Sequence, residues 1–337
     1  MLEIFKYQHP FHLESGEILR EVALGYTCYG ELNDAADNVI WICHALTANS
    51  DPTEWWPGLV GRGLLYDPNK YFIVCANMLG SCYGSTNPGS IDPSTGEPYG
   101  MKFPLLTIRD IVKALQLLKI ELGVRKIHLA TGGSMGGQQV LEWAIMEPNL
   151  IEHLVIIGTN AKHSPWGIAF NEAQRMALLA DQTFGSNDVQ GGKRGLEAAR
   201  AIAMLSYRNY EAYHRTQMEE DEKVDDFRAS SYQRYQGVKL SSRFSPLAYW
   251  VLAKAMDTHD VGRARGGLKK ALSSIIAKSL VFGIETDFLF PIREQVFLQA
   301  HIPRAQLTVI DSPFGHDGFL IEFDQIANSV KSFLKGK

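Results

Sequence analysis

The chain has 337 residues, which suits about two domains of roughly 150 residues or one α/β domain with a large insertion. Apolar residues make up 45% and charged residues 21%, so the composition excludes disordered, collagenous and coiled-coil proteins. Lysine and arginine number 33 against 37 aspartates and glutamates, for a net charge of −4. This balance does not favour a nucleic-acid-binding protein, because phosphate backbones need a concentrated positive face.

The N-terminal residues and the cysteines indicate the compartment. The chain starts without the basic stretch and long apolar core of a secretory signal, and its apolar runs are too short to cross a bilayer. The four cysteines lack the CxxC pairs of a zinc site, and a chain of this length can build its core without disulfide bonds. We therefore expect a cytoplasmic protein with free thiols, no metal, and neither membrane nor nucleic acid as a partner.

Strand and helix patterns alternate through the first 160 residues. Short β-branched and aromatic runs predict buried strands, and apolar residues spaced three and four apart predict amphipathic helices. In chain order the pattern predicts strands over 38–45 and 71–78, a helix over 107–122, a strand over 126–131, a helix ending near 146 and a strand over 154–158. Such alternation is typical of parallel strands joined by right-handed crossovers.

The pattern changes between residues 162 and 268, which read as mostly helical and include a solvated acidic run over 219–226. Two further strands, over 278–284 and 306–310, and a closing helix over 323–334 follow. We therefore predict an α/β core formed by residues 1–161 and 269–337, with a mostly parallel central sheet. A helical lid over 162–268 is inserted into that core.

Ser134 lies in the sequence Gly-Gly-Ser-Met-Gly, which matches G-x-S-x-G. The bare pattern is weak, but here it follows a predicted strand and opens a helix, as a nucleophile elbow does. Its glycines would allow the close backbone approach that such a tight turn needs. The alternative is a glycine-rich turn with a serine that caps the helix. We take Ser134 as the candidate nucleophile.

A serine hydroxyl needs a base that is itself oriented by an acid, and in this arrangement the chain order is Ser, Asp or Glu, His. Asp287 and His316 each follow a predicted strand, at the edge where an open α/β sheet places its site. Glu285 and Asp311 are alternative acids. His44 also ends a strand, but it precedes the elbow in the sequence.

An acyl-enzyme mechanism needs donors for a tetrahedral oxyanion. One should be the backbone N–H of Met135, directly after the nucleophile, and the second normally comes from a loop after an early strand. The loop over 44–48 makes the N–H of Leu46 the best candidate. The alternative is that this loop merely connects a strand to a helix.

Several passages together resemble one family, the homoserine O-acetyltransferases of methionine biosynthesis, which are acyltransferases of the α/β-hydrolase fold. The resemblance extends from about residue 20 to the C-terminus, and the Asn-x-Leu-Gly-x-Cys-x-Gly-Ser-Thr passage is far more specific than G-x-S-x-G. One departure is Gly80-Ser81, where the family commonly has two glycines. The matching passages are 43–47, 77–86, 132–137, 235–237, 255–257 and 315–317.

The resemblance implies Ser134, Asp287 and His316 as the triad. It also implies two residues that bind the acceptor: Arg200, in an Ala-Arg-x-Ile helix, and Asp317, directly after the histidine. A free amino acid carries a carboxylate and an ammonium, so a pocket with one charge of each sign would suit it. The alternatives are a salt bridge within the lid for Arg200 and a helix cap for Asp317.

Arg200 shares a helical face with Leu196, Ala203 and Tyr207, so its charge is expected to point toward an apolar surface. An unpaired charge there is costly, and a ligand carboxylate would relieve it.

The expected reaction is acetyl transfer from acetyl-CoA, a cosubstrate rather than a bound cofactor, to the hydroxyl of L-homoserine through an acyl-serine. The family also implies a homodimer. Three alternatives stay open: a relative that uses succinyl-CoA or L-serine, a serine esterase or thioesterase with the same triad, and a non-enzymatic binding module. The last is disfavoured because all three triad residues are present in order.

Overall fold

The computed structural model describes residues 1–186 and 191–336. In these two ranges the strands are β1 Glu3–Tyr7, β2 Phe11–His12, β3 Ile18–Leu19, β4 Val22–Tyr29, β5 Val39–Cys43, β6 Phe72–Ala76, β7 Ile127–Gly133, β8 Ile151–Ile157, β9 Lys278–Ile284 and β10 Ala305–Ile310. Eight of them form one sheet in the order β1-β4-β6-β5-β7-β8-β9-β10, while β2 pairs with β3 separately.

The helices of the same ranges are α1 Pro52–Trp55, α2 Ile108–Glu121, α3 Met135–Met146, α4 Pro165–Ala180, α5 Lys193–Tyr207, α6 Tyr210–Gln217, α7 Arg228–Ser241, α8 Pro246–Asp257, α9 Leu268–Ser273, α10 Ile292–His301 and α11 Phe323–Leu334. Two 3₁₀ helices span Gly100–Lys102 and Gly315–Leu320.

The predicted mostly parallel sheet is confirmed. Strands β6, β5, β7, β8, β9 and β10 all pair in parallel, and the antiparallel strands β4 and β1 extend the sheet at one edge. These N-terminal strands were not predicted. Gly25 interrupts the pattern in the middle of β4, where the carbonyl oxygen of Tyr83 would lie 2.5 Å from any added Cβ. A strand glycine of this kind marks close backbone approach and weakens the sequence signal.

Both faces of the central strands are buried, which explains their continuous apolar sequences. Along β5, Val39 and Trp41 belong to one apolar cluster while Ile40 and Ile42 belong to the other. Helices α2 and α3 pack on the first face, and α11 packs on the second. The central strands therefore run between two helical layers, and their carboxyl ends meet at one edge of the sheet.

Helices α4 to α8 occupy the segment predicted as a lid, and its bounds, 162–268, stay a prediction. The two ends of this segment meet, because Lys162 and Asp260 form an isolated antiparallel bridge and the N–H of His163 donates to the carbonyl of His259. Helix α5 packs on α4 and α7 and also on the 3₁₀ helix Gly315–Leu320. Through α5, the inserted helices cover the carboxyl edge of the sheet.

Candidate active site

Ser134 lies on the turn between β7 and α3 with φ 56° and ψ −125°, outside the regions that L-residues favour. Such a backbone costs about 1–3 kcal/mol and persists only where its surroundings hold it. The Ser134 N–H donates to the carbonyl of Ile157 over 2.9 Å. Any Cβ on Gly136 would overlap the Cys43 carbonyl oxygen. The serine side chain does not cap α3, so the turn has the geometry of an elbow rather than of a helix cap.

Asp287 and His316 form a buried pair. The Oδ2 atom of Asp287 lies 2.6 Å from Nδ1 of His316, and its Oδ1 accepts hydrogen bonds from the N–H groups of Leu289 and Phe290. Since a carboxylate only accepts, Nδ1 of His316 donates to Asp287, and in the neutral form of the ring Nε2 keeps its lone pair. This is the tautomer that a general base requires.

The two alternative acids, Glu285 and Asp311, are both exposed to solvent, whereas the Asp287 side chain is fully buried. Of the three candidate acids, Asp287 is the one whose carboxylate lies within hydrogen-bonding distance of the His316 ring. The roles of Ser134, Asp287 and His316 in catalysis stay predictions.

A single turn after β8 connects the elbow to the acid–base pair. Ile157 accepts the Ser134 N–H, and the next residue, Gly158, has φ 51°. A Cβ on Gly158 would lie 3.4 Å from both Asp287 Oδ2 and His316 Nδ1. Among the described residues, the buried Nε2 of His316 has no hydrogen-bond partner. The base is therefore free to take a proton, and catalytic hydrogen bonds commonly tighten only when substrate binds.

Aromatic rings enclose His316. Phe290 stacks on it with centroids 5.0 Å apart, Phe319 meets it edge-on at 5.3 Å, and Tyr207 from α5 lies 5.8 Å away. Ser134 is 6% exposed and His316 is 3% exposed. This packing fixes the orientation of the imidazole and keeps most bulk water away from the reacting groups.

His44 is a structural residue of the loop that follows β5. Its Nδ1 donates to the Ala45 carbonyl and its Nε2 accepts the N–H of Met78. Burial lowers the pKa of His44 to about 4, so the ring is neutral near pH 7. With both ring nitrogens bonded to backbone, the alternative that His44 serves as the base is not supported.

The same loop carries the predicted oxyanion donor Leu46. Gln139 on α3 donates to the carbonyls of His44 and Met135, both at 3.2 Å, and so ties the loop to the elbow. Neither the Leu46 nor the Met135 N–H donates a hydrogen bond within the described ranges. Both are therefore available for an oxyanion, and their assignment as the hole stays a prediction.

The passage 77–86, the most distinctive in the sequence, forms a supporting loop. Asn77 donates to the Ser50 hydroxyl and to the Tyr83 carbonyl, while Ser85 donates to the Asn77 carbonyl. Since the N–H of Met78 in this passage donates to His44, the loop stabilises the 44–46 segment rather than contacting the triad. Ser81, which replaces a common family glycine, is fully buried there.

Arg200 lies on α5 beside the base. Its guanidinium carbon is 5.3 Å from the centre of the Tyr207 ring, which in turn lies against His316. The buried Nε of Arg200 has no hydrogen-bond partner, and no described acid forms an ion pair with it. The salt bridge considered as an alternative is therefore not observed in this part of the chain, and the donors of Arg200 can serve a ligand carboxylate.

Asp317 lies inside the 3₁₀ helix Gly315–Leu320 and is not its cap, so the capping alternative is wrong. Its Oδ2 lies 2.7 Å from the Nε of Arg208, so the two side chains form an ion pair. The Nε–H group does not point at the carboxylate well enough to count as a hydrogen bond. Arg208 also lies over the Phe314 ring, 5.3 Å from its centre. Sequence reasoning missed Arg208, because no local motif connects it to a carboxylate more than one hundred residues away. The role of Asp317 in binding the acceptor stays a prediction.

One group of described residues could hold a metal ion: His128, Glu152 and His153, whose ligand atoms lie within 4.8 Å of one another. It is at the amino ends of β7 and β8, away from Ser134. The Nδ1 of His128 is bonded to Glu152, and the Nδ1 of His153 is bonded to the His128 carbonyl. No described helix has the length and apolar character that crossing a membrane requires.

The fold and site define a class of protein. An elbow serine, followed in the chain by an acid and a histidine at the carboxyl ends of parallel strands, is the arrangement of α/β-hydrolase-fold enzymes. A family model described as alpha/beta hydrolase fold matches residues 38–323.

The chain is 52% identical over 331 residues to the homoserine O-acetyltransferase of Cyclobacterium marinum, covering 98% of this chain and 94% of the relative. The structure of homoserine O-acetyltransferase from Bacillus anthracis superimposes with a TM-score of 0.91 at 25% identity, covering 99% and 97% of the two chains. An acetylester hydrolase from Corynebacterium glutamicum gives a TM-score of 0.85 at 27% identity, over 98% and 95%. The chain belongs to the homoserine O-acetyltransferase family of α/β-hydrolase-fold enzymes.

Proposed function

We propose that this enzyme transfers an acetyl group from acetyl-CoA to the hydroxyl of L-homoserine through an acetyl-serine intermediate. The observation that carries the acceptor assignment is Arg200, a partly buried cation beside the base whose donors no described acid occupies. A hydrolase that uses water has no need of a carboxylate site there. An amino-acid acceptor does, because its charged groups must be fixed for its hydroxyl to reach the base.

The proposed reaction has two displacements. In the first, Nε2 of His316 takes the proton of the Ser134 hydroxyl, the serine oxygen attacks the thioester carbonyl, and protonated CoA leaves. In the second, the homoserine hydroxyl gives its proton to Nε2 and attacks the acetyl-serine, so that Ser134 leaves with the proton. Asp287 holds Nδ1 throughout and stabilises the imidazolium. The N–H groups of Leu46 and Met135 stabilise each oxyanion.

Arg200 and Asp317 would hold the acceptor, the first at its carboxylate and the second at its ammonium. Asp317 directly follows His316 in the sequence. Its Oδ2 lies 2.7 Å from Nε of Arg208, and this ion pair fixes the position of the carboxylate. The Tyr207 ring lies against both Arg200 and His316, so it connects the proposed carboxylate site to the base. A pocket built this way selects a short amino acid over a neutral alcohol.

The second candidate function is that of a serine esterase. It is favoured by the structural similarity to an acetylester hydrolase from Corynebacterium glutamicum. The same triad can pass an acyl group to water. The low exposure of Ser134 and His316 supports transfer instead, since it limits access of water to the acetyl-serine. Succinyl-CoA as donor and L-serine as acceptor remain variants of the proposal.

Mass spectrometry of the peptide that contains Ser134 tests the proposal. After incubation with acetyl-CoA alone, we expect an acetyl group on Ser134, and addition of L-homoserine should remove it within one turnover. Ser134→Ala should show no acetylation while still binding the acceptor. An unmodified peptide under rapid-quench conditions, with wild-type turnover intact, would contradict the acyl-serine mechanism.

We further propose that the enzyme is a homodimer formed through the inserted helices. Helices α5 and α7 expose large apolar side chains, among them Leu205 at 53%, Tyr235 at 58% and Val238 at 54%. Sedimentation at micromolar concentration should give a species of twice 37.6 kDa. We also propose localisation in the cytoplasm. The four cysteines are all free thiols, the state that a reducing compartment maintains.

A further inference from the structure

Thr159 contacts the nucleophile elbow from the turn after β8. It is fully buried, and its hydroxyl donates to the carbonyl of Ser134 over 2.9 Å. The Thr159 carbonyl is itself fixed by the side chain of the buried Gln295, which donates to it over 2.7 Å. A Cβ on Gly137 of α3 would lie 2.7 Å from the Thr159 methyl. The hydroxyl is thus held in one direction by tight packing and a stiff β-branched side chain.

The Ser134 carbonyl and the Met135 N–H belong to one planar peptide unit and point in opposite directions. A donor that fixes the carbonyl on one side therefore fixes the direction of the N–H on the other. A hydrogen bond to an amide carbonyl also polarises the amide and strengthens its N–H as a donor. The backbone at Ser134 is strained, so the orientation of this peptide depends on such contacts.

We propose that Thr159 is a positioning residue for the oxyanion hole: its hydroxyl aligns and polarises the peptide whose N–H is the donor from Met135. This inference rests on the proposed acyl-serine chemistry. The adjacent residue, Gly158, has φ 51°, and a Cβ added to it would lie 3.4 Å from Asp287 Oδ2 and His316 Nδ1. The turn that holds the Ser134 carbonyl thus also passes close beside the acid–base pair.

The variants Thr159→Val and Thr159→Ser separate the hydroxyl from the packing. Valine keeps the shape and removes the donor, while the Ser134 carbonyl retains the N–H of Gln138 as a partner. Serine keeps the donor and removes a methyl group. Complete loss of one oxyanion donor lowers rates about 100- to 1000-fold, so a misaligned donor should cost about 10- to 100-fold.

Burst kinetics with 4-nitrophenyl acetate provide the measurement, because acetylation of Ser134 releases 4-nitrophenol whether water or homoserine follows. The burst amplitude counts folded, competent sites, and its rate reports acylation. We expect Thr159→Val to slow the burst about 10- to 100-fold at unchanged amplitude, and Thr159→Ser to stay within about 3-fold of wild type. With acetyl-CoA and homoserine, kcat should fall in parallel while KM for homoserine changes little.

A burst rate within 2-fold of wild type in Thr159→Val, or equal losses in the valine and serine variants, would overturn the role of the hydroxyl. If the valine variant folds poorly, Thr159→Ala compared with Thr159→Ser makes the same test. Ser134→Ala separates the two proposals. A burst that survives this substitution would contradict the acyl-serine proposal itself. A burst that is lost in Ser134→Ala but unaffected by Thr159→Val contradicts the role of Thr159 alone.

Discussion

The guanidinium of Arg200 lies over the ring of Tyr207, which is seven residues further along α5. The guanidinium carbon is 5.3 Å from the ring centre. The same ring also lies near His316, with 5.8 Å between the two centroids. Burial raises the pKa of Tyr207, so its hydroxyl is neutral at physiological pH. A cation therefore lies near the base, and no acid among the described residues forms an ion pair with it.

Replacing Arg200 by methionine should raise KM for homoserine by at least about 30-fold, since a charge-assisted pair with the ligand carboxylate is lost. The burst of 4-nitrophenol from 4-nitrophenyl acetate should stay within about 3-fold of wild type, because acylation precedes acceptor binding. Arg194→Met is the matched control, since Arg194 is exposed on the same helix. Unchanged KM in Arg200→Met would exclude Arg200 from the acceptor site.

Replacing Asp287 by asparagine should lower kcat by about 10⁴-fold while the fold is retained. The amide would favour the wrong tautomer of His316 and would not stabilise the imidazolium. Glu285→Gln is the matched control, because Glu285 is exposed two residues away, and we expect nearly wild-type kcat. If steady-state assays instead showed a large loss of kcat in Glu285→Gln and nearly wild-type kcat in Asp287→Asn, the acid would be Glu285.

His316 and His44 both follow the carboxyl end of a strand, but they should respond differently to substitution. His316→Gln should lower kcat by at least about 10⁴-fold, because it removes the base. His44→Gln should lower stability by about 1–3 kcal/mol, because buried backbone groups lose their partner. Its kcat should fall by about 10-fold or less. Thermal melts alongside initial rates distinguish the two patterns, and a larger kcat loss for His44→Gln than for His316→Gln would contradict the assignment.

Stability should fall with pH below neutrality because of buried histidines. Burial lowers the pKa of His44 and His163 to about 4 and that of His259 to about 3. An unfolded histidine titrates near 6.5, so above that pH both states are neutral and stability is fully present. As pH falls from about 6.5 toward 4, the unfolded state takes up protons that the folded state does not.

Each of these histidines can contribute up to about 1.4 kcal/mol per pH unit to that loss. Urea unfolding between pH 7 and 5 should therefore show a free energy of unfolding that decreases with decreasing pH. His44→Gln should make the slope shallower, whereas a substitution at the exposed His214 is the matched control and should change it less. A free energy that is flat over this range would contradict the neutral, buried state of these rings.

The parts of this enzyme that sequence predicts well depend on local pattern. Buried on both faces, β5 and β6 read as unbroken apolar runs, and α11 begins and ends as its apolar spacing predicts, at Phe323 and Leu334. Asp287 and His316 could be predicted because strand ends and chain order are both visible in the sequence. Their buried contact at 2.6 Å is consistent with that prediction.

The parts that sequence did not predict depend on contacts between distant segments. Arg208 meets Asp317 only because α5 packs on the 3₁₀ helix that carries His316. Thr159 reaches the elbow only through the parallel pairing of β7 with β8. Neither residue lies in a pattern that distinguishes it from an ordinary lid arginine or strand-end threonine, so tertiary structure was needed to identify both.

The central claim is that the acetyl group passes to an amino acid rather than to water. The most direct test is CoA release from acetyl-CoA, followed with a thiol reagent, with and without L-homoserine, and in parallel with succinyl-CoA and L-serine. We predict sustained release only when acetyl-CoA and homoserine are both present. Equal sustained release without any acceptor would mean that water is the second substrate and that the enzyme is a hydrolase.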